Sequence, residues 1–296
     1  LLIRPSLVAR RLSLETFNQL LLTSDESRAT SDEFVMKKDR IITEPRIYLI
    51  GKQVVDEKML KAFLDDEGLM FTTDTEVPSE VIAEAAGRTC YMSFGKGRKS
   101  NAEYLERIIS SHHGSVLEHV VWNFLITGIS RSLTHELIRH RAGFSYSQLS
   151  QRYVDESEAC YVLPPLYRDH PEIQERWISA IETAHQAYVD LVEATEPIIA
   201  DLHPELSKTD RRKLMRQSAR SVLPNACETK MFVSINARAL RHFFEMRGSI
   251  HADTEIRELA VAMCRLLKEE SPNIFADVDI VLEDGVEVIR VVHSKV

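Results

Sequence analysis

The sequence predicts an α+β fold, a largely antiparallel sheet flanked by helices. Three observations carry this. Strand and helix patterns are mixed without the regular strand–helix–strand alternation of a parallel sheet. Residues 120–127 and 227–235 are rich in the β-branched and aromatic residues that strands favour. Asp284-Gly285 sits between two apolar-containing runs in residues 277–292, which is a hairpin signal.

The elements follow in order. Residues 46–54 read as a short strand through Ile47, Leu49 and Ile50, and 57–66 and 78–87 as short helices. The run Gly95-Lys96-Gly97-Arg98-Lys99-Ser100 lacks the spacing of a phosphate-binding Walker loop and reads as a surface loop. Asn101 is placed to cap a helix through about residue 111. After the strand at 120–127, Ser130 starts a helix that ends near 139–141. Residues 172–202 carry a long helical pattern, which Pro197 is expected to kink or end. Ser207 with Asp210 resembles a capping box for a helix through 222, stopped by Pro224-Asn225. Asn236 caps a helix running to Gly248. Asp253 opens a last helix with Ile256, Leu259, Ala260, Met263, Cys264 and Leu267 on one face.

Composition narrows the class. The chain has 296 residues, is 44% hydrophobic and has a formal net charge of -8. That supports a sizeable core and argues against general nucleic-acid binding. No apolar run reaches the length of a membrane span. Cys90, Cys160, Cys227 and Cys264 have neither C-x-x-C nor zinc-ligand spacing, which points to a reducing, cytoplasmic setting. Residues 1–14 carry Arg4, Arg10 and Arg11 with no acid before Glu15. We read 1–44 as an extension of unknown role and 45–296 as one domain.

Chemistry concentrates in residues 139–153, which hold Arg139, His140, Arg141, Ser145, Ser147, Ser150 and Arg152. Arginine offers a permanently charged fork that matches phosphate oxygens. In an acidic chain this density reads as an anion site for a phosphorylated small molecule. The bland alternative is a solvated helix end. Arg212, Arg216 and Arg220 fall on one helical face and read equally as a solvated stripe. Arg238, His242 and Glu245 align likewise. His112, His113 and His119 suggest a metal site, but no His-Glu-x-x-His pattern or carboxylate cluster completes it, so no metal is expected.

The Arg139-His140-Arg141 run, followed by Ser150 and Arg152-Tyr153, resembles the signature of the flavin-dependent thymidylate synthases. Eight residues lie between Arg141 and Ser150, one more than that signature usually has. A bulge at Gly143 is expected to absorb the extra residue. Two further segments are similar to the family's: His113 through Glu118-His119, and Ala219-Arg220 through Asn236, Arg238, Arg247 and His251. Together the three motifs cover about residues 80–275.

The resemblance implies the family's fold, a homotetramer with shared active sites, and conversion of dUMP to dTMP. The carbon donor would be 5,10-methylenetetrahydrofolate, and NADPH the reductant through FAD. It implies Arg247 as the residue that polarises or ionises uracil, with no cysteine nucleophile. The implied dUMP contacts are Glu136 (often glutamine in the family), Arg139, Gln148, Leu149, Ser150, Gln151, Arg152, Arg220 and Arg247. The implied FAD contacts are Ser115, Glu118, Arg139, His140, Arg141, Gln148, Asn236, Arg238, His242 and His251. His113 would lie on the folate side. His119 and His135 are expected to be structural, satisfied by neighbouring polar groups. Two other readings compete: an arginine-rich nucleotide- or RNA-binding module, and a histidine-based metal hydrolase.

Overall fold

The structure, a computed structural model, describes residues 36–97 and 100–296. The basic stretch at 1–14 and the Arg98-Lys99 part of the glycine loop lie outside the described residues. The strands are β1 (Ile41–Ile42), β2 (Arg46–Lys52), β3 (Val121–Ser130), β4 (Phe144–Gln148), β5 (Tyr161–Val162), β6 (Glu228–Asn236), β7 (Val278–Glu283) and β8 (Val286–Val291). The α-helices are α1 (Glu57–Asp66), α2 (Pro78–Tyr91), α3 (Asn101–Ser110), α4 (Arg131–Leu137), α5 (Pro171–Leu202), α6 (Lys208–Ala219), α7 (Ala237–Arg247) and α8 (Thr254–Glu270).

Alternation builds the main sheet. In β3, Trp122, Phe124 and Ile126 point inward and are buried, while their neighbours are only half-buried. Met231, Val233 and Ile235 do the same in β6. The four strands run in the order β2-β3-β6-β4, every neighbour antiparallel. Their apolar face packs on α7 and α8 through Leu240, Phe243, Phe244, Ile256, Leu259 and Met263. Phe275 bridges the layers, 5.9 Å from the Trp122 ring and 5.7 Å from Phe244. Each such side chain contributes about 1.5–3 kcal/mol on burial. The opposite sheet face leaves Tyr48, Ile50 and Phe232 exposed.

Several helix starts follow the expected chemistry. Ser130, Ser207, Asn236 and Asp253 each accept a first-turn N–H. The β7–β8 hairpin turns at Asp284 and Gly285, both with positive φ, as a two-residue primed turn needs.

Other elements differ from the sequence reading for identifiable reasons. Ser100, not Asn101, caps α3; Asn101 is buried and donates to Glu84 at 2.8 Å. Helix α5 runs through Pro197 to Leu202. Glu193, whose carbonyl loses its donor there, is exposed, so water can serve it. Helix α4 stops at Leu137 and the chain turns through His140. Residues 144–148, buried in the sequence within the arginine motif, form the edge strand β4, with Phe144, Tyr146 and Gln148 half-buried and Ser145 and Ser147 exposed. Residues 36–44 lie within the compact unit Met36–Val296, where β1 pairs in parallel with β5.

Candidate active site

The turn between α4 and β4 organises the site. Gly143 has φ +74, and a Cβ there would lie 2.7 Å from both Ala239 Cβ and Asn236 Nδ2. Only glycine fits that approach. Its carbonyl accepts from Asn236 N at 3.0 Å, and Phe144 N donates to Arg141 O at 3.3 Å. The β4–β6 ladder then runs from Phe144↔Ile235 to Gln148↔Met231 without a register shift. Gly143 therefore sits in a tight turn ahead of β4, and the β4–β6 ladder itself carries no bulge. Tyr146 Oη fastens the turn from below, 2.7 Å from Leu137 O and 2.6 Å from His140 O.

Around this turn Glu136, His140 and Arg247 meet. Arg247 Nε donates to His140 Nε2 at 3.0 Å, and its Nη1 donates to Glu136 Oε2 at 2.5 Å. Burial, then the charges of Arg247 and His242, lower the His140 pKa from 6.5 to about 4. His140 is thus neutral near pH 7 and free to accept at Nε2. Its ring lies 5.9 Å from His242, 5.7 Å from Phe144 and 5.4 Å from Phe243.

Beside this cluster is a cleft of about 380 Å³ lined by Glu118, Gly143, Asn236, Arg238, His242 and the 291–296 segment. Arg238 spans it, with Nη1 2.5 Å from Glu118 Oε1 and Nε donating to Val296 O at 3.0 Å. Both partners of the ion pair are about half exposed, so it is worth at most ~1 kcal/mol and can be exchanged for a ligand. Arg238 also borders a second cleft of about 260 Å³ with Cys90, Tyr91, His113, Gly114 and Ser115. There the Tyr91 and His113 rings stack at 6.2 Å.

A third group lies at the far end of β4. Arg131 Nη2 donates to Leu149 O at 2.9 Å, and Arg152 N to Ser150 Oγ at 3.4 Å. The Nε atoms of Arg131 and Arg152 are buried without a partner, an unusual state for a cation. Burial lowers the Arg131 pKa, and the charge of Arg220 pushes the same way. Arg220 is therefore near enough for its charge to be felt at Arg131. Gln151 is buried and donates to Cys227 Sγ at 3.6 Å. Gln148 reaches Thr134 and Thr229 from β4.

Arg139, Arg141 and His251 are exposed, and no described residue pairs with their side chains. His119 and His135 are also exposed without a side-chain partner among the described residues, so the expectation that neighbours satisfy them fails. Arg216 does not belong to a solvated stripe. It donates to Tyr153 O at 2.8 Å and to Asp155 Oδ2 at 2.7 Å, while Arg212 is exposed. Sequence reasoning missed Arg131; its only local signal is the helix-capping Ser130 before it. Among the described residues no group of three His, Cys, Asp or Glu side chains could hold a metal ion.

Residues 73–273 match the profile of the family described as thymidylate synthase complementing protein. The flavin-dependent thymidylate synthase of Mycobacteroides abscessus is 48% identical over 230 residues, which is 76% of this chain and 90% of that protein. Those of Mycobacterium marinum and Mycolicibacterium vanbaalenii are 48% and 49% identical, covering 76% and 74% of this chain and 90% and 87% of their own. The chain belongs to the flavin-dependent thymidylate synthase family.

Proposed function

We propose that this enzyme methylates dUMP to dTMP, with 5,10-methylenetetrahydrofolate as carbon donor, NADPH as reductant and tetrahydrofolate as product. The observation that carries the reading is Arg247, held by a neutral His140 and by Glu136. Negative charge builds on the pyrimidine carbonyls as its carbon 5 becomes nucleophilic. A fixed guanidinium stabilises that charge without reorganising. Arg247 has this role.

The remaining residues bind and orient. Arg152, Arg220, Arg139 and the Ser150 hydroxyl take the nucleotide phosphate, with Gln148, Leu149, Gln151 and Glu136 completing the dUMP pocket. The buried, unpartnered Nε of half-buried Arg152 fits an anionic ligand. Arg131 has the same orphaned Nε and joins them. Ser150 binds and is not a nucleophile; its hydroxyl accepts the Arg152 N–H. Cys227 is fully buried, and burial followed by Glu156 pushes its thiol up to about 12, which fits a scheme without a cysteine nucleophile.

The cleft and the turn beside it have residues that fit FAD. Arg238 offers an exchangeable cation, His140 and His242 offer flat rings, and exposed Arg139 and Arg141 offer forks for a pyrophosphate. Ser115, Glu118, Asn236, Gln148 and His251 complete the set, and His113 faces the folate side. Once bound and reduced by NADPH, the flavin would supply the hydride that completes the methyl group. The exposed Tyr48, Ile50 and Phe232 and the unpaired Arg139, Arg141 and His251 suit a homotetramer with shared sites. Residues 45–296 make the catalytic domain, to which residues 36–44 add β1. Among the described residues no helix is long and apolar enough to cross a membrane, in keeping with a cytoplasmic enzyme of dTMP biosynthesis.

Visible absorption of the purified protein, then NADPH oxidation with and without dUMP, tests the proposal. Flavin bands and dUMP-dependent oxidation are expected. A colourless protein that gains no flavin signal with added FAD refutes it.

A further inference from the structure

We infer that Val296, backed by Gly114, is a positioning residue that aims Arg238 into the flavin cleft. The inference rests on the FAD reading above. Arg238 lies in the first turn of α7, where the helix dipole disfavours a cation, so its guanidinium needs oxygen partners to hold it. It has two, and they differ. Glu118 Oε1 takes Nη1, and both side chains of that pair are about half exposed. The main-chain oxygen of Val296 takes Nε at 3.0 Å, and Val296 is only 8% exposed. Nη2 has no partner among the described residues. An arriving anion can therefore displace Glu118 while the grip on Nε stays.

Separate segments build this grip. After β8 the chain is fastened in steps: His293 N donates to Asp277 Oδ2 at 3.0 Å, and Arg241 Nη2 donates to His293 O at 3.2 Å. Lys295 N donates to Glu245 Oε2 at 3.3 Å, and its φ of +57 is a left-handed conformation that is unfavourable for a residue with a Cβ. Beyond that turn the Val296 side chain packs into the main apolar core. From the other side Gly114 closes against it. A Cβ there would lie 2.4 Å from Val296 C and 3.0 Å from Arg238 Nε. The glycine thus leaves the room in which the main-chain oxygen and the guanidinium meet.

The place of the contact gives it a role. Arg238 and Val296 line the cleft of about 380 Å³, and Arg238 and Gly114 line that of about 260 Å³. A long side chain held only at its tip by an exposed carboxylate would be free to turn towards either cleft once that carboxylate leaves. The bond at Nε, next to the stem, fixes the guanidinium plane before a ligand arrives. A cation ordered in advance spares the ligand the cost of ordering it. Unseating Val296 should therefore weaken flavin binding although no charged group leaves the cleft.

The test is FAD titration of the intact protein stripped of flavin, read by quenching of flavin fluorescence. Val296→Gly and Gly114→Ala are each made with Arg238 present and with Arg238→Ala. Val296→Gly removes the seat, and Gly114→Ala pushes Val296 from the opposite side, so either variant tests the contact if the other fails to fold. With Arg238 present, each should raise the Kd for FAD roughly three- to tenfold, the cost of ordering one freed side chain. In the Arg238→Ala background neither should change it by more than about twofold. A merely structural Val296 would carry the same loss into both backgrounds. That result, or a wild-type Kd in both variants, overturns the inference. A wild type that binds no FAD, or Arg238→Ala binding it as tightly as the wild type, refutes the FAD reading itself, so the two failures are distinguishable.

Discussion

Replacing Gly143 by alanine tests whether the close turn after the arginines is a steric requirement. Two costs are expected. The backbone sits at φ +74, and an alanine held there loses ~1–2 kcal/mol. The new Cβ would also meet Ala239 Cβ and Asn236 Nδ2, each at 2.7 Å, well inside van der Waals contact. Asn236 must then move, and its Oδ1 gives up the 2.8 Å bond that caps α7 at Ala239 N. Losing such a cap costs ~1 kcal/mol, so the total is ~2–4 kcal/mol. The chain contains its own control. Gly285 has φ +78 with nothing within 4 Å of its virtual Cβ. Gly285→Ala should therefore show the backbone cost alone, ~1–2 kcal/mol. Urea unfolding of both variants, with FAD affinity measured alongside, separates the terms. Gly143→Ala should be the less stable by at least ~1 kcal/mol and should bind FAD more weakly, because Asn236 and Arg238 share the displaced helix start. Equal losses in the two variants would refute the crowding argument.

Other outcomes follow from single contacts. Asp277→Ala should destabilise the fold by ~3–5 kcal/mol in urea, because it strands the buried Arg241 that now donates at 2.7 and 2.8 Å to that carboxylate. Stability should fall on the acid side. Burial would raise the Asp277 carboxyl, but the bonds from Arg241 and His293 N outweigh it and hold its pKa low, so its contribution disappears as pH drops below the usual carboxylate range. His140 adds loss between pH 6.5 and about 4, since the unfolded chain takes up its proton first; a flat profile across that window would contradict the His140 contribution, and one below it the Asp277 contribution. Arg216→Ala should raise the KM for dUMP by ~10-fold with kcat within ~3-fold, because it frees the Tyr153–Asp155 end of the Arg152 turn; an equal rise in the folate KM would count against this. Cys227→Ala should cost about 1 kcal/mol and keep thymidylate formation, and complete loss of activity in a folded variant would restore a cysteine role.

What was legible in the sequence divides along a physical line. Helix caps are local: a Ser, Asp or Asn bonds an N–H two or three residues on, so Ser207, Asn236 and Asp253 announce their helices. The hairpin at Asp284-Gly285 is local in the same sense. Strand β4 was obscured because its inward positions, Phe144, Tyr146 and Gln148, alternate with serines inside a stretch dominated by arginines. Pro197 does not end its helix, because the carbonyl that loses its donor belongs to exposed Glu193, where water can take the donor's place.

The site shows the division most sharply. Arginine density marks residues 139–152 as unusual in an acidic chain, and that much is compositional. Which cation meets which acid is not. Glu136 and Arg247 are 111 residues apart, and nothing in either neighbourhood names the other. Arg131 is one arginine after a capping serine; only the return of the chain along β4 brings Leu149 O to its guanidinium. Arg216 was visible as part of a helical face, but the face could not reveal that Asp155 waits opposite it. A linear motif therefore tells which ligand chemistry a protein prepares for, while contacts between distant segments decide which charges remain available to that ligand. In this fold those contacts withdraw Arg216 into a structural clasp, leave Arg139 and Arg141 open, and set Arg247 beside Glu136.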